Sequence, residues 1–100
     1  LDHVQAIIVK DNKVIAKEGI EGTSKMLAKL KKKTQGVLIK FPKKKQDLRA
    51  DLPTIGLDTL KDCKKSNIKG IVLKSNQNII LDKKKCISFA NKNQMFISIK

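Results

Sequence analysis

Aromatic side chains are scarce in this 100-residue chain, which has three phenylalanines and neither tryptophan nor tyrosine. Proteins that bind single-stranded nucleic acids stack bases on aromatic rings, so this scarcity argues against such a surface. It also means that isoleucine, leucine and valine must build the core. With 40% hydrophobic residues, the chain is predicted to form one domain with one modest core.

Cysteine, histidine and long apolar runs are limited as well. Cys63 and Cys86 show no Cys-x-x-Cys spacing and have no neighbouring histidine, which argues against a zinc site and favours two buried cytosolic thiols over a disulfide. His3 receives no role, and no nucleotide-binding glycine motif is present. No run is long enough for a membrane span, and no secretory leader is visible. Because the chain starts at Leu1, we expect it to be a fragment of a longer protein.

Acidic side chains are few, with 9 against 23 basic residues and a net charge of +14. Three interpretations stay open: solvated charge from a biased composition, a surface that faces phosphate or anionic lipid, and a nucleic-acid-binding module. The lysines occur in short runs at residues 31–33, 43–45 and 83–85 rather than in a tail. The shortage of aromatic residues weighs against nucleic acid.

Hydrophobic patterning predicts an α/β (mixed α+β) fold in the order β-β-α-β-α-β-β-α-β. One mixed sheet of about six short strands is expected, at residues 4–9, 14–17, 37–39, 70–73, 79–81 and 95–99, together with three helices. Asp11-Asn12 is expected to turn a first hairpin. The continuous run Val37-Leu38-Ile39 is typical of a strand that is covered on both faces.

Short polar residues predict the ends of the helices. Thr23 or Ser24 is expected to cap the first helix, which would end at Gln35-Gly36. The second helix is expected over residues 56–66, and Asp82 is expected to cap the third.

The most informative segment runs from Gln46 to Gly56, with the sequence QDLRADLPTIG. Of the 23 basic residues, only Arg49 is an arginine, and a guanidinium can bind phosphate or carboxylate through two parallel hydrogen bonds. Asp47 and Asp51 flank it, and Mg²⁺ commonly takes one or two carboxylates together with substrate phosphates. The segment therefore predicts a magnesium and phosphate site. The alternative is that Arg49 bridges both aspartates and nothing binds.

Two further groups of residues fit such a site. Glu18, Glu21 and Thr23 precede a helix, where they either cap its N-terminus or add a metal ligand beside a phosphate-binding helix end. Lys40 ends a buried strand and opens the acidic segment, so it could reach a phosphate. Ligands in open α/β sheets commonly bind at this edge.

Several motifs recur in order along the chain: Gln5-Ala6, Glu18-x-x-Glu21-Gly22-Thr23, Gly36-Val37-Leu38-x-Lys40, the segment from Gln46 to Gly56, Thr59 and Leu81-Asp82. This series resembles the C-terminal domain of the LpxI-type UDP-2,3-diacylglucosamine pyrophosphatases of lipid A biosynthesis. The resemblance covers essentially the whole chain. The Gln-Asp-Leu-Arg-x-Asp-x-Pro-Thr-Ile-Gly block is its most specific part.

The resemblance implies a two-domain, Mg²⁺-dependent hydrolase with its substrate bound between the domains. The family splits the pyrophosphate bond of UDP-2,3-diacylglucosamine into UMP and 2,3-diacylglucosamine 1-phosphate (lipid X). Residues 1–100 would form the C-terminal catalytic domain without the N-terminal domain, so the isolated chain is expected to be inactive. The implied partners are the substrate, the missing N-terminal domain and the inner-membrane surface of a Gram-negative bacterium. A peripheral position on the cytoplasmic side follows from them.

The resemblance also implies roles for individual residues. The essential aspartate of the family corresponds to Asp47 or Asp51, with Asp51 favoured. The implied set comprises the catalytic residues Asp51 and Asp47, the substrate-binding residues Arg49, Gln46, Lys40, Thr23 and Thr54, and the metal ligands Asp47, Asp51 and Glu21. The chain departs from the family at Ser24, where aspartate is usual, and at Lys44-Lys45, where Pro-Gly is usual. A degenerate relative that binds lipid or a partner, and a basic nucleic-acid-binding module, are therefore the alternatives.

Overall fold

Seven strands and three helices are formed by the residues that the computed structural model describes, which are 6–19, 22–30, 34–41, 54–74 and 78–100. The strands are β1 (Ala6–Lys10), β2 (Lys13–Lys17), β3 (Val37–Lys40), β4 (Thr54–Ile55), β5 (Gly70–Leu73), β6 (Ile79–Ile80) and β7 (Phe96–Ile99). The helices are α1 (Thr23–Ala28), α2 (Leu57–Lys65) and α3 (Lys83–Lys92). The mixed α/β class is confirmed, although the predicted order lacked β4.

Five of these strands form one mixed sheet in the order β2-β1-β3-β5-β7. β1 pairs antiparallel with both β2 and β3, whereas β3, β5 and β7 are parallel. Asp11 and Asn12 turn the first hairpin with φ angles of 52° and 64°, a left-handed conformation that these short side chains tolerate, so the predicted turn is confirmed. α2 and α3 each lie on a connection between two parallel strands, because such strands need a crossover.

A second sheet consists of β4 and β6 alone, paired in parallel. Each strand has two residues, and β6 corresponds to the predicted strand at residues 79–81. β4 was not predicted, because Thr54-Ile55 offers neither an apolar run nor an alternating pattern. Ile55 of β4 is 1% exposed, and its carbonyl oxygen accepts a hydrogen bond from the N–H of Leu81 at 2.9 Å. The small sheet therefore fixes the start of α2 beside the start of α3.

One face of the five-stranded sheet carries the core. The buried hydrophobic residues are Ala6, Ile8, Met26, Leu27, Leu38, Ile55, Leu60, Cys63, Ile68, Ile71, Leu73, Cys86, Ala90 and Met95. On the opposite face, the half-buried Val37 and Ile39 line an open groove of about 480 Å³ with Val9 and Val72. Strand, turn and terminal residues line this groove, with no residue of a described helix among them. The prediction that β3 is covered on both faces is therefore wrong for the described part of the chain.

The helix ends differ from the predicted caps. α1 begins at Thr23 and α3 follows Asp82, and neither start has a side-chain cap hydrogen bond. The hydroxyl of Thr23 donates instead to the carboxylate of Glu18, and Asp82 has a left-handed backbone with φ of 48°. α1 ends at Ala28, well before the predicted end at Gly36. None of the described helices combines the length and apolar character needed to cross a bilayer.

Gly36 has a different structural reason from the one predicted. A Cβ atom at this position would lie 2.8 Å from both the Cγ2 of Ile8 and the carbonyl oxygen of Val9. The contact with Val9 is to backbone, which cannot rotate away. Gly36 therefore allows the chain to enter β3 directly against β1.

Candidate functional site

The carboxyl ends of the parallel strands meet at one edge of the five-stranded sheet. Lys40, Leu73 and Ile99 end β3, β5 and β7 and occupy one row of the sheet. Ala6, at the start of β1, lies opposite Lys40 in the same row. Ligands of open α/β sheets commonly bind beyond this end of the strands. We call it the carboxyl edge.

Lys40 is a buried cation at the carboxyl edge, with 7% of its surface exposed. Its Nζ donates a hydrogen bond to the backbone carbonyl oxygen of Thr54 at 2.9 Å. Burial lowers the pKa of Lys40, because an ammonium group loses hydration there, while the Glu18 carboxylate opposes this effect. Lys40 thus joins β3 to β4, the strands that precede and follow residues 42–53 in the sequence.

Glu18 brings the start of α1 to the same edge. Its backbone N–H donates to the carbonyl oxygen of Ala6 at 2.9 Å, which fixes it beside β1. Its carboxylate is buried, with 8% of the residue exposed, and accepts the hydrogen bond from the hydroxyl of Thr23. Glu18, Thr23, Lys40 and Thr54 together form what we call the edge cluster.

Cys63 of α2 is fully buried, and the positive charge of Lys40 in the edge cluster acts on its thiol. Burial raises its pKa to about 12, with the negative charge of Asp62 adding to the rise and Lys40 opposing it. Only a thiolate is a good nucleophile, so this thiol is unreactive near neutral pH. Cys63 and Cys86 are both free and buried, which confirms the prediction of two buried thiols.

Two hydroxyl groups connect α1 to the end of α2. Ser24 Oγ donates to Asp62 Oδ2 at 3.2 Å, and Ser66 Oγ donates to the carbonyl oxygen of Leu27 at 3.3 Å. Ser24 is also the position at which the resemblance implies that aspartate is usual. An aspartate there would place a second carboxylate beside Asp62.

Three residues of the predicted site belong to the described part of the chain. The structure joins Lys40 to Thr54 through the Nζ hydrogen bond, and it joins Thr23 to Glu18. The sequence pattern groups Glu18 with Thr23 but gives Glu18 no role of its own at the site. Its position between a strand and Gly19 was the signal that could have found it.

The other predicted site residues lie outside the described residues; they are Gln46, Asp47, Arg49, Asp51 and Glu21. Their roles, and the requirement for Mg²⁺, stay predictions. Within the described ranges, no group of three or more His, Cys, Asp or Glu side chains is arranged to hold a metal ion. The described residues therefore do not by themselves make a magnesium site.

Comparison with known proteins identifies the family. The LpxI C-terminal domain matches residues 1–98, nearly the whole length of the chain. The chain belongs to the LpxI C-terminal domain family. It is 32% identical over 107 aligned residues to the UDP-2,3-diacylglucosamine pyrophosphatase LpxI of Caulobacter vibrioides. This alignment covers 97% of the chain but only 38% of the relative's length.

The LpxI assignment confirms the resemblance that the motifs predicted. The described end of the most specific motif, Thr54 to Gly56, has a clear structural role in this LpxI domain. Ile55 is part of the core, and Gly56 directly precedes α2. This part of the LpxI motif is explained by folding, whereas the acidic part lies outside the described residues.

Proposed function

We propose that this LpxI domain belongs to an enzyme that hydrolyses the pyrophosphate bond of UDP-2,3-diacylglucosamine. Water would add to one phosphorus atom, the bridging P–O bond would break, and UMP and 2,3-diacylglucosamine 1-phosphate (lipid X) would leave. The observation that carries the proposal is the family match over residues 1–98. The pyrophosphatase name of the Caulobacter relative supports it.

Asp51 and Asp47 are the proposed catalytic carboxylates. With Glu21 they would hold Mg²⁺, which supplies positive charge for the phosphoryl oxygens when it is bound. One of the two aspartates would also accept the proton of the attacking water. Arg49 and Gln46 would donate hydrogen bonds to the diphosphate, for which the guanidinium has the better geometry.

Lys40 would act mainly by holding the flanks of the acidic segment. Its hydrogen bond to Thr54 connects the residues on either side of positions 42–53. A segment whose flanks are already tied loses less conformational entropy when it binds a substrate. The remaining N–H donors of Lys40, with the hydroxyls of Thr23 and Thr54, are proposed to contact substrate.

The whole enzyme would have two domains and would work at the cytoplasmic surface of the inner membrane of a Gram-negative bacterium. The chain spans 38% of the length of its Caulobacter relative, so another domain would complete the site, and the chain alone would be inactive. The net charge of +14 favours reversible adsorption to an anionic membrane, where a diacylated substrate resides.

Three matched aspartate-to-asparagine variants test the proposed residues in the full-length protein. Asp51→Asn and Asp47→Asn remove a carboxylate with little change of shape. Asp11→Asn does the same in the β1–β2 turn, at the end of β1 farthest from the carboxyl edge. We expect UMP release to fall by about 100-fold or more in at least one of the first two and to be unchanged in the third. Full activity in both site variants would show that the proposed carboxylates are wrong.

A further inference from the structure

A surface at the start of α3 exposes aliphatic side chains next to lysines. Ile79, Leu81 and Ile87 are 42%, 56% and 44% exposed. Lys83 and Lys84 lie between Leu81 and Ile87 in the sequence and are exposed as well. We call these five residues the basic aliphatic surface.

The backbone fixes the outward direction of these side chains. Ile80 of β6 packs against the core, so its neighbour Ile79 is left on the opposite side of the strand. In α3 the buried residues are Cys86 and Ala90. Ile87, next to Cys86, is therefore directed away from the core, and it lies one helical turn after Lys83.

The lysines of this surface oppose the stability of the helix on which they lie. Lys83, Lys84 and Lys85 form the first turn of α3, which contains no acidic residue. The positive end of the helix dipole disfavours cations at this end. Helix stability thus does not account for these lysines, two of which belong to the basic aliphatic surface. Packing against the core does not account for the exposed Ile79, Leu81 and Ile87 either.

The combination fits the boundary region of an anionic bilayer. Ammonium groups bind anionic headgroups, while aliphatic side chains enter the start of the acyl layer. Residues 78–92 hold four lysines and one aspartate, so the local charge is complementary to such a membrane. Nucleic acid would need stacking aromatic residues instead, and Phe89, the one aromatic residue in this range, is only partly exposed.

We propose that the basic aliphatic surface is the part of the domain that docks on an anionic lipid bilayer. β6 pairs with β4, and β4 is bonded to Lys40, so docking through this surface would bring the carboxyl edge close to the membrane. This inference rests on the membrane association included in the proposed function. It adds the surface that is responsible.

Flotation of the full-length protein with lipid vesicles tests the inference without substrate. The vesicles contain phosphatidylglycerol and phosphatidylethanolamine in one series and phosphatidylcholine alone in the other. The charge variant is Lys83→Gln with Lys84→Gln, and the apolar variant is Leu81→Ser with Ile87→Ser. The matched control, Lys64→Gln with Lys65→Gln, removes the same charge from exposed positions at the end of α2.

We expect wild type and control to float with anionic vesicles and not with phosphatidylcholine. Each lysine near an anionic surface raises the affinity for the membrane about fivefold. The charge variant, which lacks two lysines, should therefore bind about 25-fold more weakly. The apolar variant should bind about tenfold more weakly. The charge variant removes cations from the unfavourable end of a helix and should not unfold, which circular dichroism checks.

Three results would overturn the inference: no flotation of wild type with anionic vesicles, equal losses in the control and charge variants, or unchanged binding of the apolar variant. Displacement from vesicles by a single-stranded oligonucleotide at equal phosphate concentration would favour nucleic acid instead.

UMP release by the full-length protein in detergent micelles separates this inference from the proposed function. The apolar variant should keep that activity even though it loses vesicle binding.

Discussion

Replacing Lys40 by methionine probes the edge cluster directly. Methionine keeps much of the apolar length but has no ammonium group, so the carbonyl oxygen of Thr54 loses its bond from Nζ and Glu18 loses a neighbouring positive charge. Loss of a partner at a buried polar group costs about 1–3 kcal/mol, and release of the ammonium from its buried position offsets part of this. We expect the free energy of unfolding to fall by about 1–2 kcal/mol near pH 7.

The destabilisation by Lys40→Met should increase with pH. Burial lowers the pKa of Lys40 below its ordinary value of 10.5. Between the lowered pKa and 10.5 the unfolded chain binds more protons than the folded chain, so the contribution of Lys40 to stability rises with pH. The slope for one group is at most about 1.4 kcal/mol per pH unit. The methionine variant lacks this gain, and the difference from wild type is therefore larger at pH 10.5 than at pH 7.

Urea unfolding followed by circular dichroism measures both effects, because the chain has no tryptophan or tyrosine for fluorescence. The matched control is Lys13→Met, which removes the same charge from an exposed position of β2. Titration of the other lysines affects both variants equally and cancels in their difference. The interpretation of Lys40 would be refuted if the two variants stayed within about 0.5 kcal/mol of each other at both pH values.

Other changes test neighbouring parts of the structure. Gly36→Ala should lower the free energy of unfolding by about 1–3 kcal/mol through its contact with backbone, whereas Gly19→Ala, which meets nothing within 4 Å, should have little effect in the same urea experiment. In the folded chain the pKa of Cys63 is raised from 9.0 to about 12, so wild type should lose stability as the pH rises through that interval. Cys63→Ala should lose less stability per pH unit, and an equal loss per pH unit in both proteins would contradict this. Ser24→Asp should destabilise the chain by repulsion from Asp62, and added salt should reduce the effect; a variant more stable than wild type at low salt would refute the predicted repulsion.

The parts of the fold that depend on local sequence were predictable. The Asp11-Asn12 turn follows from the conformations these residues tolerate, and the positions of β3 and β5 follow from their short apolar runs, although the cover expected on both faces of β3 is not found in the described part of the chain. β4 could not be predicted, because its two residues become a strand only by pairing with β6, far along the chain. The cap expected from Thr23 also depends on a tertiary contact that the local sequence does not show, because the hydroxyl of Thr23 donates its hydrogen bond to the carboxylate of Glu18.

The acidic part of the candidate site can be proposed from the sequence, whereas the contacts of the edge cluster cannot. A single arginine between two aspartates is visible in the sequence, and so is the family motif that contains it. The bond from Lys40 to Thr54 is not visible, because Lys40 is one of many similar lysines and its acceptor is a backbone carbonyl. Burial distinguishes Lys40 from the exposed lysines, and burial depends on the packing of the whole domain.

The most direct test of the account is the identity of the products formed from UDP-2,3-diacylglucosamine by the full-length protein with Mg²⁺. Mass spectrometry of the reaction should show UMP and 2,3-diacylglucosamine 1-phosphate in equal amounts. A folded protein that forms neither product, or that releases UDP and the uncharged diacylglucosamine, would contradict the proposed hydrolysis of the pyrophosphate bond.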